Sequence, residues 1–304
     1  MSNISSRKPV LGHLAAGAAY TIFGLNIVFC KDIASSQVIS PIALFTWRAI
    51  GAGILFWVIS LFMPKEKVCG RDLLRIAAAA FIGLFVPQLT FLAACTMTTA
   101  IDISILSTLS PIFTMFIAAL VVKEPITFKK AGGVAISFAG ILFLIFNSTV
   151  RHNGVETSSA WGIILMLLNS FSFAAYLGIF RPLISKYSVV TFMKWMFLAA
   201  LLISFPFSAK DMFSTSYTAI PSNVLWEIGF LIFFATFVAY FLIPVGQKNI
   251  RPTLVSMYSY LQPMIAAAIA VASGMDKLSW QKILASVLVV GGVLIVSKSR
   301  SRVQ

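Results

Sequence analysis

Apolar residues in this chain fall into ten long runs separated by short polar gaps. The runs are approximately Leu11 to Phe29, Pro41 to Met63, Leu73 to Cys95, Ile101 to Val122, Phe128 to Phe146, Ala160 to Phe180, Val189 to Phe207, Val224 to Ile243, Thr253 to Ser273 and Trp280 to Val296. A helix rises about 1.5 Å per residue, so about 20 apolar residues cross a hydrocarbon core of about 30 Å. The pattern predicts ten transmembrane helices and leaves no room for a soluble domain. The gaps hold the Gly, Pro, Ser, Asn and charged residues of turns, the two longest being Asn147 to Ser159 and Ser208 to Asn223.

Inside this pattern the stretch Leu106 to Leu142 returns without a gap as Tyr258 to Leu294, at a constant offset of 152 residues. Ser107 falls on Ser259, Leu109 on Leu261, Pro111 on Pro263, Lys130 on Lys282 and Gly140 on Gly292, while Glu124 meets Asp276 and Thr127 meets Ser279. Eight identities in 37 positions prove little alone. Their kind carries the weight: a proline inside an apolar run, an acid and a hydroxyl in the next turn, and a late glycine, all in register. The repeating unit is five helices, an odd number, so the second copy enters the membrane with opposite orientation. The expected fold is an all-α integral membrane protein of two inverted five-helix repeats, residues 1–150 and 151–304. Inverted repeats of this kind mark secondary transporters, with substrate held near the midplane between the halves.

Composition agrees. Of 304 residues, 59% are hydrophobic and 11% charged, and a mean hydropathy of +0.96 leaves too little polar surface to cover a soluble globule. The net charge of +14 does not indicate nucleic acid, because the basic residues sit in short gaps between runs instead of forming one patch. They report topology. With the N-terminus inside, seventeen Lys and Arg lie on the cytoplasmic side and five outside, with Arg48 within a run. Both termini are therefore expected in the cytoplasm. Trp47, Trp161, Trp226 and Trp280 then fall near the outer ends of their helices, at headgroup level. No convincing cleavage site follows Arg7 and Lys8, so the first helix is expected to stay. Cys30, Cys69 and Cys95 are too few and too widely spaced for a metal site or disulfide framework and read as packing or loop residues.

Several buried polar positions bear on function. Pro111 and Pro263 cannot donate to the carbonyls of Ser107 and Ser259, leaving two backbone acceptors in hydrocarbon. A kink repaired by the local serine and a polar cavity are both compatible with one such proline; the symmetric pair favours the cavity. For Pro87 and Pro244, unrelated by the offset, a simple kink is the better reading. Asn26, Gln88, Asn169, Tyr176, Tyr240, Tyr258 and Gln262 lie well inside apolar runs and each needs a partner. Any one of them is more readily interhelical glue than ligand contact; together they describe a polar, aromatic-rich lining suited to a small amphiphilic molecule. Arg48 lies about two turns from the start of its helix, where snorkelling to the outer interface is the favoured reading and a functional charge the other. Asp102 and Glu227, near the external ends of their runs, are assigned gating or proton-linked roles unless simply hydrated. Glu124 and Asp276 are expected to hold turns by pairing with nearby lysines, with Thr127 and Ser279 capping the next helices. Gly133, Gly140, Gly291 and Gly292 are small residues for helix packing or a homodimer through helices five and ten.

Phe23-Gly24-Leu25-Asn26 followed by Lys31, the pattern ending Leu109-Ser110-Pro111, Lys123-Glu124 and the late Gly140 together resemble the ten-helix EamA branch of the drug/metabolite transporter superfamily. Lys123 stands where that family has glycine, and Asp276 replaces glutamate in the second half. The resemblance covers essentially the whole chain. It implies two inverted five-helix halves, a cavity lined mainly by helices one, three, four, six, eight and nine, and movement of small metabolites, often export of amino acids. The expectation is a secondary transporter in the plasma (inner) membrane of a bacterium, exporting aromatic or other neutral amino acids by alternating access. Its partners would be a small-molecule substrate and the bilayer, with no cofactor, no metal and no catalytic residue. An intramembrane enzyme acting on a lipid or peptide is the alternative, weakened because His13 and His152 have no second ligand at metal spacing. A non-transporting receptor would leave the repeat unexplained.

Overall fold

The computed structural model describes residues 9–122, 127–148 and 158–298, and all regular structure among them is helical. The helices are α1 (Pro9–Ser36), α2 (Pro41–Leu61), α3 (Gly70–Cys95), α4 in two segments (Ala100–Ser107 and Ser110–Val122), α5 (Phe128–Ser148) and α6 (Ala160–Ile179). After a short helix, Arg181–Lys186, come α7 (Val189–Ser214), α8 (Ser222–Asn249), α9 (Pro252–Ala272) and α10 (Trp280–Lys298). Among the described residues eight helices are long and apolar enough to cross a membrane; α5 and α10 contribute shorter apolar stretches, Ala131–Phe143 and Trp280–Gly292. The chain is a multi-pass integral membrane protein.

Side-chain caps start several helices. Ser40, Thr99, Ser159 and Ser188 each accept a backbone N–H from the first turn of α2, α4, α6 and α7, satisfying donors that lipid would leave bare. Two helices run further than the apolar pattern suggests. α1 continues past Phe29 to Ser36 and carries Lys31 and Asp32 within it, Lys31 being only 9% exposed. α7 continues past Phe207 to Ser214, with Pro206 inside it, and so shortens the expected loop after Ser208. Hydropathy registers contact with lipid, whereas the end of α1 packs on protein, with Lys31 and Ile33 buried, and charged residues are tolerated there.

In lipid there is no hydrophobic gain from bringing two apolar helices together, so close backbone approach and interhelical hydrogen bonds hold the bundle. α5 and α10 show this most directly. A Cβ on Gly292 would lie 2.3 Å from the Gly133 carbonyl oxygen, and one on Gly140 would lie 2.9 Å from Leu288 Cβ. At the same crossing Ser137 Oγ donates to the Val289 carbonyl at 3.0 Å. Gly140 and Gly292, like Ser137 and Val289, are separated by the repeat offset. The Glu124 turn that leads into α5 lies outside the described residues.

This crossing yields a paired prediction. Gly292→Val should lower the melting temperature of the detergent-solubilised protein, by the equivalent of about 1–3 kcal/mol of overpacking. Gly291→Val, next to it but with open space around its Cβ position, should leave melting within error of wild type. Equal effects would show that the contact is not what holds α10.

Candidate functional site

Four helices lose regular α geometry near the middle of the bundle. α4 ends its first segment at Ser107, and the Leu109 carbonyl starts a new ladder by accepting Ile112 N at 2.9 Å and Phe113 N at 3.2 Å. Pro111 therefore sits in the first turn of a fresh helix, where no N–H is needed. Hydroxyls take the neighbouring carbonyls: Ser107 Oγ donates to Ile103 O (2.9 Å), Thr108 Oγ1 to Ile105 O (2.7 Å), and Ser170 Oγ of α6 to Leu106 O (3.3 Å). α9 is interrupted at the equivalent place by a 3₁₀ turn, Tyr258–Tyr260.

α3 and α8 each contain a π-helical segment, Phe81–Phe85 and Leu231–Val238. Phe81 and Phe85 correspond through the offset to Phe233 and Phe237. In α3, Val86 N–H bonds back to Phe81 O, and Pro87 has no N–H to offer Ile82. The stranded Ile82 carbonyl accepts Ser172 Oγ from α6 at 2.6 Å, and the Pro87 carbonyl accepts Asn169 Nδ2 at 2.7 Å. Tyr176 packs its ring on Gly83, where a Cβ would come within 2.4 Å. Pro87 thus does more than kink its helix. In α8 the π segment turns Thr236 inward, so that its hydroxyl donates to Leu231 O (2.7 Å) and accepts Arg48 Nε (2.8 Å).

The helices that carry these segments contribute to the wall of a cavity of about 70 Å³. Its lining comprises Tyr20, Phe23, Asn26 and Ile27 from α1, Arg48 from α2, and Pro87, Gln88 and Phe91 from α3. Ser107 and Ser110 of α4, Asn169 and Phe173 of α6, Tyr240 of α8 and Gln262 of α9 complete it. Phe23 packs edge-on against Tyr20, Phe173 and Tyr240, with ring centroids 5.7–6.4 Å apart. The Tyr240 hydroxyl lies beside the Gln88 amide. Tyr20 Oη, Gln88 Oε1 and Gln262 Oε1 are buried without a hydrogen-bond partner within the protein.

Six of the eleven residues expected to line the cavity therefore do so: Asn26, Gln88, Ser107, Asn169, Tyr240 and Gln262. Tyr176 packs behind it, stacked on Phe180. Tyr258 points away, its hydroxyl 2.9 Å from His13 Nδ1. Ser259 is fully buried elsewhere, Pro111 is absorbed in α4, and Pro263 lines a separate space of about 160 Å³ with Ser104 and Lys282. Arg48 does not snorkel. It is 1% exposed and faces the cavity, because Thr236 holds its guanidinium inward. Sequence reasoning passed over Tyr20, Phe23, Phe91, Phe173 and Ser110. Tyr20 and Phe23 lie on α1 within two turns of Asn26 and share its face, a signal the pattern did carry; Phe91 and Phe173 are indistinguishable in sequence from lipid-facing phenylalanines.

Neither Asp102 nor Glu227 reaches the cavity. Asp102, only 4% exposed, accepts Ser158 Oγ at 2.5 Å, at the face of the bundle where α4 begins. Beside it Asp276 pairs with Lys282 Nζ (2.7 Å) and accepts Ile101 N–H (3.3 Å), while Lys282 also donates to Thr99 Oγ1 (2.9 Å). Asp276 holds its turn, as expected, and also ties it to α4. Glu227 contacts the carboxyl of Asp32 on α1. On the opposite face Asp72 of α3 accepts Lys186 Nζ (2.5 Å) and Tyr187 Oη (2.6 Å), and Lys248 of α8 donates to the Tyr187 carbonyl. Glu66 accepts the Ser188 N–H (3.0 Å). Partial burial pushes the Glu66 carboxyl up, but hydrogen bonds from Ser188 and Thr191 outweigh it and hold the group below its ordinary value. Its contribution is present above the ordinary carboxylate range and lost as pH falls through the lowered value. Residues from the two halves of the chain thus meet at both faces.

Comparison with known proteins bears on the whole chain. The model of the EamA-like transporter family matches residues 10–146 and again 160–298. A protein of Archaeoglobus fulgidus named as an uncharacterized transporter is 24% identical over 290 residues, 94% of this chain and 96% of its own. The uncharacterized transporter YyaM of Bacillus subtilis is 24% identical over 85% of each chain. The uncharacterized inner membrane transporter YedA of Escherichia coli K12 is 25% identical over 95% of this chain and 90% of its own. A solved crystal structure superposes over 96% of this chain and 98% of its own with a TM-score of 0.65 at 15% identity, a likeness of fold.

Two tyrosines separate lining from packing. Tyr176→Phe removes a buried hydroxyl with no partner and should leave ligand affinity unchanged while raising stability by up to about 1 kcal/mol. Tyr20→Phe also removes an unpartnered hydroxyl, but one in the cavity wall, and should weaken ligand binding while raising stability by a similar amount. Measured side by side, indistinguishable affinities would remove Tyr20 from the site.

Proposed function

Because the chain belongs to the EamA-like transporter family, we propose that it is a secondary transporter that moves small metabolites by alternating access about the central cavity, exporting aromatic or other neutral amino acids. The observation that carries this reading is the cavity itself: buried, uncommitted Gln88 and Gln262 carbonyls beside an aromatic wall, at the level where α3, α4, α8 and α9 all lose regular geometry. Irregular backbone at membrane depth is tolerated where it is buried in protein or lines a cavity. In this reading α5 and α10 complete ten spans, the halves 1–150 and 151–304 are inverted copies with both termini in the cytoplasm, and the membrane is the bacterial plasma membrane. The two family matches of similar length and the π segments at equivalent positions support the repeat.

Bonds between the halves at both faces describe a state closed on both sides. Alternating access then consists of releasing one set while the other holds. Asp102–Ser158 and Asp276–Lys282–Thr99 form one gate; Asp72–Lys186–Tyr187 and Glu66–Ser188 form the other. A homodimer would use the outer faces of α5 and α10, since Gly140 and Gly292 are taken up within the chain.

Purified protein in liposomes tests the reading by counterflow of labelled L-amino acids, with and without a pH gradient. Saturable uptake that requires substrate inside the vesicle is expected, with Gln262→Ala raising the half-saturation concentration several-fold while the yield of folded protein changes little. No flux of any amino acid or related metabolite, with intact protein shown by its melting curve, would defeat the proposal.

A further inference from the structure

One side chain in the cavity wall carries a charge. Arg48 has five N–H donors. Nε is committed to Thr236 Oγ1 at 2.8 Å, and Nη1 meets only the Cys30 thiol at 3.7 Å. No Asp or Glu among the described residues pairs with it. The acids nearest in sequence to its neighbours, Asp32 on α1 and Glu227 on α8, contact each other. Cys30 in turn donates to Asn26 Oδ1 at 3.5 Å, and the two side chains that meet the guanidinium, Thr236 and Cys30, are not carboxylates; the Glu227 carboxyl is near enough to act on Cys30 but does not bond Arg48. A buried cation without an anion is strongly unfavourable, and more so at membrane depth.

With Nε taken and Nη1 meeting only a thiol, the Nη1–Nη2 edge holds the donors without an oxygen partner. That edge is a planar fork matched to two oxygens of a carboxylate. The same cavity offers acceptors, Gln88 Oε1 and Gln262 Oε1, and no negative charge among its lining residues. Phe23, Phe91 and Phe173 share the lining. We propose that Arg48 is the carboxylate receptor of the transport site, selecting organic acids, α-amino acids among them, over amines and amides of the same shape. The amide carbonyls accept the N–H groups of the substrate, and the aromatic wall takes its uncharged body. A cavity of about 70 Å³ holds about five water-sized groups. It seats the carboxylate and ammonium of an amino acid, and a larger side chain enters as the helices part.

This inference rests on the transport reading, and its test separates the two. The melting temperature of the full-length protein in detergent is measured with L-phenylalanine and L-alanine and with their uncharged-carboxyl partners, L-phenylalaninamide and L-alaninamide. The acids are expected to stabilise and the amides not. Arg48→Met should abolish the difference, weaken binding of the acids by at least about thirty-fold, and leave the ligand-free protein as stable as wild type or more so, since an unpaired buried charge has gone. Arg48→Lys, which keeps the charge and loses the fork, should recover part of the affinity. Counterflow with the same four compounds gives the second readout. Flux of acids and amides alike, retained in Arg48→Met, would overturn the carboxylate role and leave transport standing. Acid-selective binding without any flux would leave Arg48 standing and overturn transport. A large loss of ligand-free stability in Arg48→Met would make Arg48 a bolt between α2 and α8 and overturn the proposal, as would stabilisation by none of the acids.

Discussion

Every backbone carbonyl in the hydrocarbon core must find a donor inside the protein, and this constraint organises the molecule more than any single contact. Where the helices are regular the ladder satisfies it. Where Pro87 removes a donor, a serine on α6 supplies one; where α4 breaks before Pro111, hydroxyls of Ser107, Thr108 and Ser170 do the same. The irregular places cluster at one level, and the cavity lies among them. The proposed function sits where the fold is hardest to satisfy, because only there can polar groups point at something other than their own helix.

The same constraint explains the role of α6. Its Asn169, Ser170 and Ser172 each bond a carbonyl on α3 or α4, so the first helix of the second half repairs the irregular helices of the first. The halves are therefore joined at the midplane by hydrogen bonds and at each face by charged clusters. α5 and α10 are locked to each other by glycine-to-backbone contact, and α10 is tied to the start of α4 through Lys282.

Much of this was legible in the chain. Spans and offset follow from hydropathy and from a few residues with strong backbone consequences, such as Pro111 and Pro263 or Gly140 and Gly292. The amides Asn26, Gln88, Asn169 and Gln262 stand out because an amide in lipid has nowhere to go. What could not be read is direction around a helix axis. Tyr176, Tyr258 and Tyr240 look alike in sequence, yet one packs on Gly83, one meets His13 and one lines the cavity. Arg48 was misread for a related reason. Its distance from the helix start allowed snorkelling, and only the π segment that turns Thr236 inward, invisible to periodicity, decides otherwise. The first apolar run stops at Phe29, short of Lys31 and Asp32 on α1, because hydropathy cannot distinguish a helix end buried in protein from one in water.

Alternating access makes one demand that sets it apart from any static cavity: a lining residue must meet water from each side of the membrane in turn. Ser110→Cys, in a protein whose Cys30, Cys69 and Cys95 are replaced, can be reacted with a membrane-impermeant maleimide added to one side or the other of sealed vesicles. The account predicts labelling from both sides, each slowed by transported substrate. Labelling from one side only, or none from either in protein that still melts cooperatively, would contradict it.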